Sequence, residues 1–213
     1  MKGDISEALR IYAQARRYVS QAGLDSEVTW QRSLEWEAFG ESDLLRQCAW
    51  VILCGGFKEA VIRRLFDHIS LCFCDWESAH EIAGSAEGCT AAALRVFRNK
   101  SKVHAIVEMA KRVETETFDR IKHAIHLDPI GELQKFSYIG PVTAVHLAKN
   151  LGMHVAKPDR HLVRLANRVG FRCAEELCSA IAVNLGEQIN VVDLVLWRYL
   201  ADGPHGRSQP VLV

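Results

Sequence analysis

The sequence predicts an all-α protein. Three observations carry that expectation: apolar residues recur at helical spacing through most of the chain, alternating β-branched runs are almost absent, and capping residues or glycines punctuate the helical stretches at short intervals. The chain has 213 residues, 49% of them hydrophobic and only five of them proline. That is room for one large domain or for two small lobes sharing a core.

Residues 4–21 place Ile5, Leu9, Tyr12, Ala13 and Arg16 at helical spacing behind Asp4, a natural N-cap. Residues 42–54 open on Ser42-Asp43 and continue through Leu44, Leu45, Cys48, Ala49, Val51, Ile52 and Leu53. A helix apolar nearly all round belongs at the centre of a fold. Gly55-Gly56 ends it, and Phe57 to Ser70 resumes the pattern with Val61, Ile62, Leu65, Phe66 and Ile69. Further helices are predicted over 78–83, 89–97, 101–113 and 116–126. Asp128-Pro129 supplies an N-cap and a first-turn proline for 129–136. Helices over 141–151, 159–169, 174–185 and 188–200 complete the series.

Lysine plus arginine number 26 and so do aspartate plus glutamate, so the net charge is zero. Taken alone, that balance argues mildly against a nucleic-acid partner, because phosphate contacts need cations. The charges are segregated, however. From Asp25 to Asp43 the chain carries Asp25, Glu27, Glu35, Glu37, Glu41 and Asp43 against Arg32. From Pro141 to Arg172 it carries Lys149, Lys157, Arg160, Arg164, Arg168 and Arg172 against Asp159. Such asymmetry builds one basic face, or else two solvated helix faces of opposite sign. No apolar run approaches membrane-spanning length and the first residues lack a signal-peptide core, which predicts a cytoplasmic protein (nucleoid-associated if prokaryotic) without a membrane partner. The seven cysteines lie mostly within helical patterns, as reduced thiols do. Cys72, Cys74 and His80 match no standard zinc spacing, and no metal is expected.

The informative stretch is 129–171, PIGELQKFSYIGPVTAVHLAKNLGMHVAKPDRHLVRLANRVGF. Leu133 and Phe136 close one short helix, Ser137-Tyr138-Ile139-Gly140 make a tight turn, and Pro141 starts a second helix where proline is best tolerated. The amides of Val142, Thr143 and Ala144 are then open at a helix N-terminus, which is an anion site suited to a phosphate. Asp159 follows in KPDRHL, at a loop-to-helix junction. On its own an aspartate there is a plain N-cap. Set among cations and about twenty residues after a phosphate-clamp-like hairpin, it also suits a group that must face developing positive charge.

A hairpin followed by a loop and this aspartate resembles the helix-hairpin-helix DNA glycosylases with a glycine/proline-rich loop and a catalytic aspartate. The D-x-H spacing of Asp159 and His161 also occurs in endonuclease III-like members, and VILCGGFKEAVIRRLF with FRNKSKVHAIVEMAKRV is similar to the corresponding helices of bacterial 3-methyladenine DNA glycosylase type I. The resemblance covers more than half the chain. It implies a two-lobed fold with the active-site cleft between lobes: residues 42–151 as a helical barrel lobe that includes hairpin 129–151, and residues 1–41 and 152–213 as the second lobe. The departures are specific. Tyr138 stands where the family has its first hairpin glycine, which stiffens the turn or presents a ring to DNA. Val142 stands where bifunctional members carry a Schiff-base lysine, so β-lyase activity is not expected. The four-cysteine iron–sulfur pattern is missing, with only Cys173 and Cys178 after the catalytic helix. Cys54 takes the place of a base-recognising glutamate, which points away from 3-methyladenine.

The resemblance implies a monomeric, monofunctional DNA glycosylase acting on duplex DNA with a damaged or modified base, flipped out of the stack for cleavage of its glycosidic bond. Asp159 would be the catalytic carboxylate. The amides of Gly140, Thr143 and Ala144, with Lys149, Lys157, Arg160 and Arg164, would hold phosphates, Lys157 first because it adjoins the catalytic loop; Val142 and Tyr138 belong to the same DNA-facing hairpin. His161 would pack or contact phosphate. Phe57 lies where the family places its wedge, although a core phenylalanine on helix 57–70 explains it equally, and Trp36, Trp50, Trp76 and Tyr138 are candidates for an aromatic base pocket. The family also allows a monovalent cation on the hairpin carbonyls; no other cofactor is expected. Three rivals stay open: a glycosylase acting on a bulky modified cytosine in phage DNA, a non-catalytic hairpin module that only binds DNA, and a structural or regulatory helical protein without nucleic acid.

Overall fold

Residues 3–203 are described by a computed structural model in which thirteen α-helices follow one another, with no strand among the described residues. They divide into two units: one is the continuous segment Ala38–Leu151, and the other joins the chain before it to the chain from Gly152 onward.

Helix α1 (Ile5–Gln21) starts at Asp4, whose carboxylate accepts the Glu7 amide at 3.0 Å, and buries Ala8, Ile11, Tyr12, Ala15 and Val19. Helix α2 (Asp25–Ser33) is not predicted by periodicity, because it buries only Val28 and Gln31. Its acids have ionic partners, although Asp25 stays exposed. Glu27 takes Arg198 through two bonds at 2.7 and 3.0 Å, and Asp25 faces Arg16 at 3.4 Å.

The continuous unit holds α3 (Glu41–Cys54), α4 (Glu59–Cys72), α5 (Ala79–Gly84), α6 (Ala86–Val96), α7 (Lys100–Glu116), α8 (Phe118–Leu127), α9 (Pro129–Leu133) and α10 (Pro141–Asn150). Helix α3 is central, as its composition predicts, and packs against α4, α7 and α10. It buries Leu44, Leu45, Cys48, Ala49, Val51, Ile52 and Leu53; each large aliphatic so placed stabilises the fold by about 1.5–3 kcal/mol. The remaining acids of the 25–43 run that lie here serve as caps: Asp43 accepts the Gly40 amide at 2.8 Å, and Glu41 accepts the Ala79 amide at 2.6 Å. Helix α4 begins two residues later than the apolar pattern suggests. Phe57 therefore sits in the preceding turn, after Gly56 at φ 76°, and not on a helix face.

The chain returns to the first unit with α11 (Arg160–Arg168), α12 (Ala174–Leu185) and α13 (Ile189–Asp202). Helix α13 packs against α1, α2, α11 and α12 and buries Val191, Val192, Leu194, Val195 and Leu196. Gly152 has φ 105°, and a Cβ there would lie 2.6 Å from the Trp36 backbone nitrogen, so only glycine fits. No single helix among the described residues is long and apolar enough to cross a membrane.

Candidate active site and nucleic-acid interface

The loop that delivers Asp159 is held from behind by two carboxylates. Glu175 on α12 accepts the Ala156 amide at 2.6 Å, and Asp193 on α13 accepts the Lys157 amide at 2.8 Å. The Asp159 amide then donates to Lys157 O at 2.8 Å, a tight turn ahead of α11. Asp159 itself is half-buried and extended at ψ 165°. Its Oδ1 accepts the amides of both His161, at 2.8 Å, and Leu162, at 3.0 Å. The aspartate is thus a true N-cap, and the positive end of α11 favours its charge. Both cap bonds fall on one oxygen, and the cap does not use Oδ2.

Arg160 and Arg164 are exposed on α11, and Lys157 and His161 are half-buried. Arg160 Nε donates to His161 Nε2 at 3.4 Å, which sets the imidazole beside a guanidinium. Sequence reasoning missed Glu175 and Asp193. Asp193 is 1% exposed within the apolar run Val191-Val192-Asp193-Leu194-Val195-Leu196, and a charge inside such a run was the available signal.

The hairpin lies in the continuous unit. Asp128 caps α9 through the Gly131 amide at 3.1 Å, Phe136 and Ile139 are buried under the turn, and α10 starts at Pro141. Tyr138 has φ 69°, so it keeps a glycine-like backbone. For a residue with a Cβ this costs about 1–2 kcal/mol. The amide inventory needs correction. The Gly140 amide donates to Thr143 Oγ1 at 2.7 Å and the Ala144 amide to Gly140 O at 2.8 Å, so neither serves a phosphate. The amides at the open end of α10 are those of Val142 and Thr143, with the Val142 side chain 43% exposed beside them. Lys149 also departs from expectation: it is 5% exposed in the last turn of α10 and belongs to its packing. Phe136 O already accepts the Ile139 amide, and Gly140 O accepts both the Ala144 amide and the Thr143 hydroxyl.

The aromatic candidates separate clearly. Trp76 is fully buried, stacks on Phe73 with ring centres 5.2 Å apart, and donates Nε1 to Ser70 at 2.8 Å. It is a core residue and not a pocket wall. Trp50 packs edge-on against Phe66 at 5.0 Å, with Arg63 over its ring. Trp36 is half-buried next to Gly152. Phe57 and Tyr138 are different: both are exposed, and both lie 5.4 Å from the Lys102 ammonium. Lys102 was not anticipated. Elsewhere, His80 turns to Glu114 at 2.9 Å, and no three metal-ligating side chains converge among the described residues.

This chain shares its fold with a DNA glycosylase. The 8-oxoguanine DNA glycosylase of Thermotoga maritima superposes with a TM-score of 0.61 at 21% identity, over 94% of this chain and 98% of that one. No family model and no curated protein matches the sequence. The expected all-α glycosylase architecture is therefore the one observed, recognisable through the backbone where sequence comparison is silent.

Proposed function

We propose that this chain is a DNA N-glycosylase that hydrolyses the bond between a damaged or modified base and its sugar, without β-lyase activity. One observation carries the proposal: in a glycosylase fold, the loop ahead of α11 is pinned by buried Asp193 and by Glu175 so that it presents Asp159 among exposed arginines. A mere cap needs no such support, since two amides hold it already.

The chemistry follows from charge. The C1′–N bond breaks, the electron pair leaves with the base, and the sugar becomes oxocarbenium-like. The Asp159 carboxylate stabilises that cation and takes the proton of the water that adds to C1′, leaving an abasic site. The base must leave the duplex stack first. Arg160, Arg164 and Lys157 hold phosphates, and the α10 amides of Val142 and Thr143 hold a further one. Val142 has no amine to form a Schiff base, so the strand stays intact.

The test is a panel of duplexes with single alkylated, deaminated, oxidised, hydroxymethylated or glucosylated bases, scored for released base and alkali-labile sites. An 8-oxoguanine duplex comes first, because the structural neighbour is named for that base. Release lost in Asp159→Asn, with strand breaks only after alkali, is the expected result. Breaks without alkali would refute the monofunctional assignment. DNA binding without release, tightened in Asp159→Asn, would instead make the chain a non-catalytic binding module.

A further inference from the structure

Three of the seven cysteines meet in one part of the continuous unit. Cys72 ends α4, Cys74 opens the turn that leads to α5, and Cys89 lies on α6. Helix α4 packs against both that turn and α6. All three are free thiols, with Cys72 and Cys74 half-buried and Cys89 4% exposed. The Cys89 thiol is hydrogen-bonded to Cys74, while Cys72 is near enough to act on it only by charge. The Cys72 thiol has its own acceptor, His68 O at 3.2 Å. Burial, and then the adjoining Cys74, push the Cys89 thiol above its ordinary pKa. Cys89 therefore keeps its proton and is the donor of the pair.

Packing explains Cys89, because a thiol is a small apolar filler between helices. It does not explain Cys74. Cys74, Asp75 and Trp76 follow one another at φ 53°, 47° and 64°. Residues with a Cβ visit this region singly and not in runs. Trp76 holds the turn in place: it is fully buried and stacks on Phe73 and Phe66, with ring centres 5.2 and 6.0 Å apart. That anchor lies two residues beyond Cys74 and leaves the Cys74 thiol half-buried. The result is an accessible sulfur set against a buried one by a strained turn, and strain of this kind gathers at functional positions.

We propose that Cys74 and Cys89 are an oxidisable dithiol, a modification site whose co-reactant is a hydroperoxide. Cys74 gives its proton to water, and its sulfur attacks the peroxide. The O–O bond breaks, hydroxide leaves, and Cys74 becomes a sulfenic acid. The Cys89 sulfur then attacks the Cys74 sulfur. The S–O bond breaks, the S–S bond forms, and hydroxide leaves as water with the Cys89 proton. One hydroperoxide is reduced by two electrons and one dithiol is oxidised by two. A disulfide formed in this way from an otherwise reduced chain is reversible by thiols. The inference goes beyond the DNA reading above and does not rest on it.

The experiment uses the full chain, reduced and desalted, treated with hydrogen peroxide, then alkylated in denaturant and weighed intact. Two of the seven thiols escape alkylation, a peptide map joins Cys74 to Cys89, and dithiothreitol restores both. The oxidised chain melts roughly 5–10 °C higher, because the cross-link restricts the unfolded chain. Cys74→Ser abolishes the bond. In Cys89→Ala the reaction stops at the Cys74 sulfenic acid, which dimedone traps. Cys173 is the internal control, since it is exposed and exposure alone would direct oxidation there first. Cys74 reacts on the order of ten times faster than Cys173. Cys74 is half-buried and Cys74→Ser keeps the fold, so this variant and the peptide map decide the matter should Cys89→Ala unfold. Oxidation confined to Cys173, a bond between Cys72 and Cys74 instead, or seven thiols left intact each overturn the proposal. So does an oxidised chain that melts lower than the reduced one, because its bond was made in the unfolded chain and not by the native pair.

Discussion

Helices α10 and α11 begin with the same physical device and use it in opposite ways. Each opens a row of backbone amides at its positive end. At α11 the row is filled by the protein's own carboxylate: Asp159 Oδ1 takes the amides of His161 and Leu162. At α10 the cap is neutral. Gly140 and Thr143 satisfy each other, and no acidic residue stands in the first turn. A filled N-terminus fixes an anion within the protein, and an open one waits for an anion from outside. For the activity proposed above these are two separate requirements: a charge for the sugar and a grip on the backbone. The supports differ accordingly. The α11 entry loop is tied by carboxylates from α12 and α13, whereas the α10 turn rests on buried Phe136 and Ile139.

The largest effect expected from disturbing this comparison is at Asp159. Asparagine is also a good N-cap, so Asp159→Asn leaves the thermal midpoint within a few degrees while base release falls by about 10²–10⁴. Alanine removes cap and charge together and destabilises by a further ~1 kcal/mol. Single-turnover release beside a thermal melt separates the two. The next effect lies behind the loop. Asp193→Ala leaves the Lys157 amide without its acceptor, and a loop displaced by about 1 Å lowers turnover by roughly 10² with KM little changed. Asp193→Asn retains an acceptor oxygen and restores most of the rate. Loss of turnover in both variants alike would show that the carboxylate charge, and not the hydrogen bond, is what matters.

The difference between what could and could not be read in the sequence has the same physical root. Helix α3 was legible because its apolar residues are consecutive and local, and the hairpin because Asp128-Pro129 and Gly140-Pro141 are short-range signals. Helix α2 was not, since two buried residues show no period and its acids find partners as distant as Arg198. Asp159 was legible from its junction and neighbours. Lys102 and Asp193 were visible only as charges in apolar positions. What they do depends on carbonyls 50 residues away and an amide 36 residues away. Tertiary structure alone brings those groups together. The segregated acids show the same limit: that Glu41 and Asp43 accept backbone amides was not visible in the charge pattern, although Asp43 keeps its exposure.

The open end of α10 offers a smaller test. Val142→Asp would give α10 the internal anion that α11 already has. The helix gains about 0.3–1 kcal/mol from the added charge at its N-terminus, and the melting point rises slightly. DNA binding falls by about tenfold, because the anion site is filled and phosphate is repelled. Stability up and binding down is the signature of a phosphate grip. Unchanged binding would mean that the α10 amides face no phosphate.

The smallest effect belongs to the exposed cations of α11. Arg164→Ala removes one phosphate contact and no support of Asp159, so it weakens binding to every duplex alike and lowers the salt slope by about one. Base release at saturating DNA stays near the wild-type rate. This places Arg164 on the opposite side of the comparison from Asp193, which is buried and governs rate, while Arg164 is exposed and governs affinity. If Arg164→Ala lowered the saturated rate without changing the salt slope, its guanidinium would act on the Asp159 charge and not on the DNA backbone. Positioning and binding would then not be divided between the back of the loop and the face of α11.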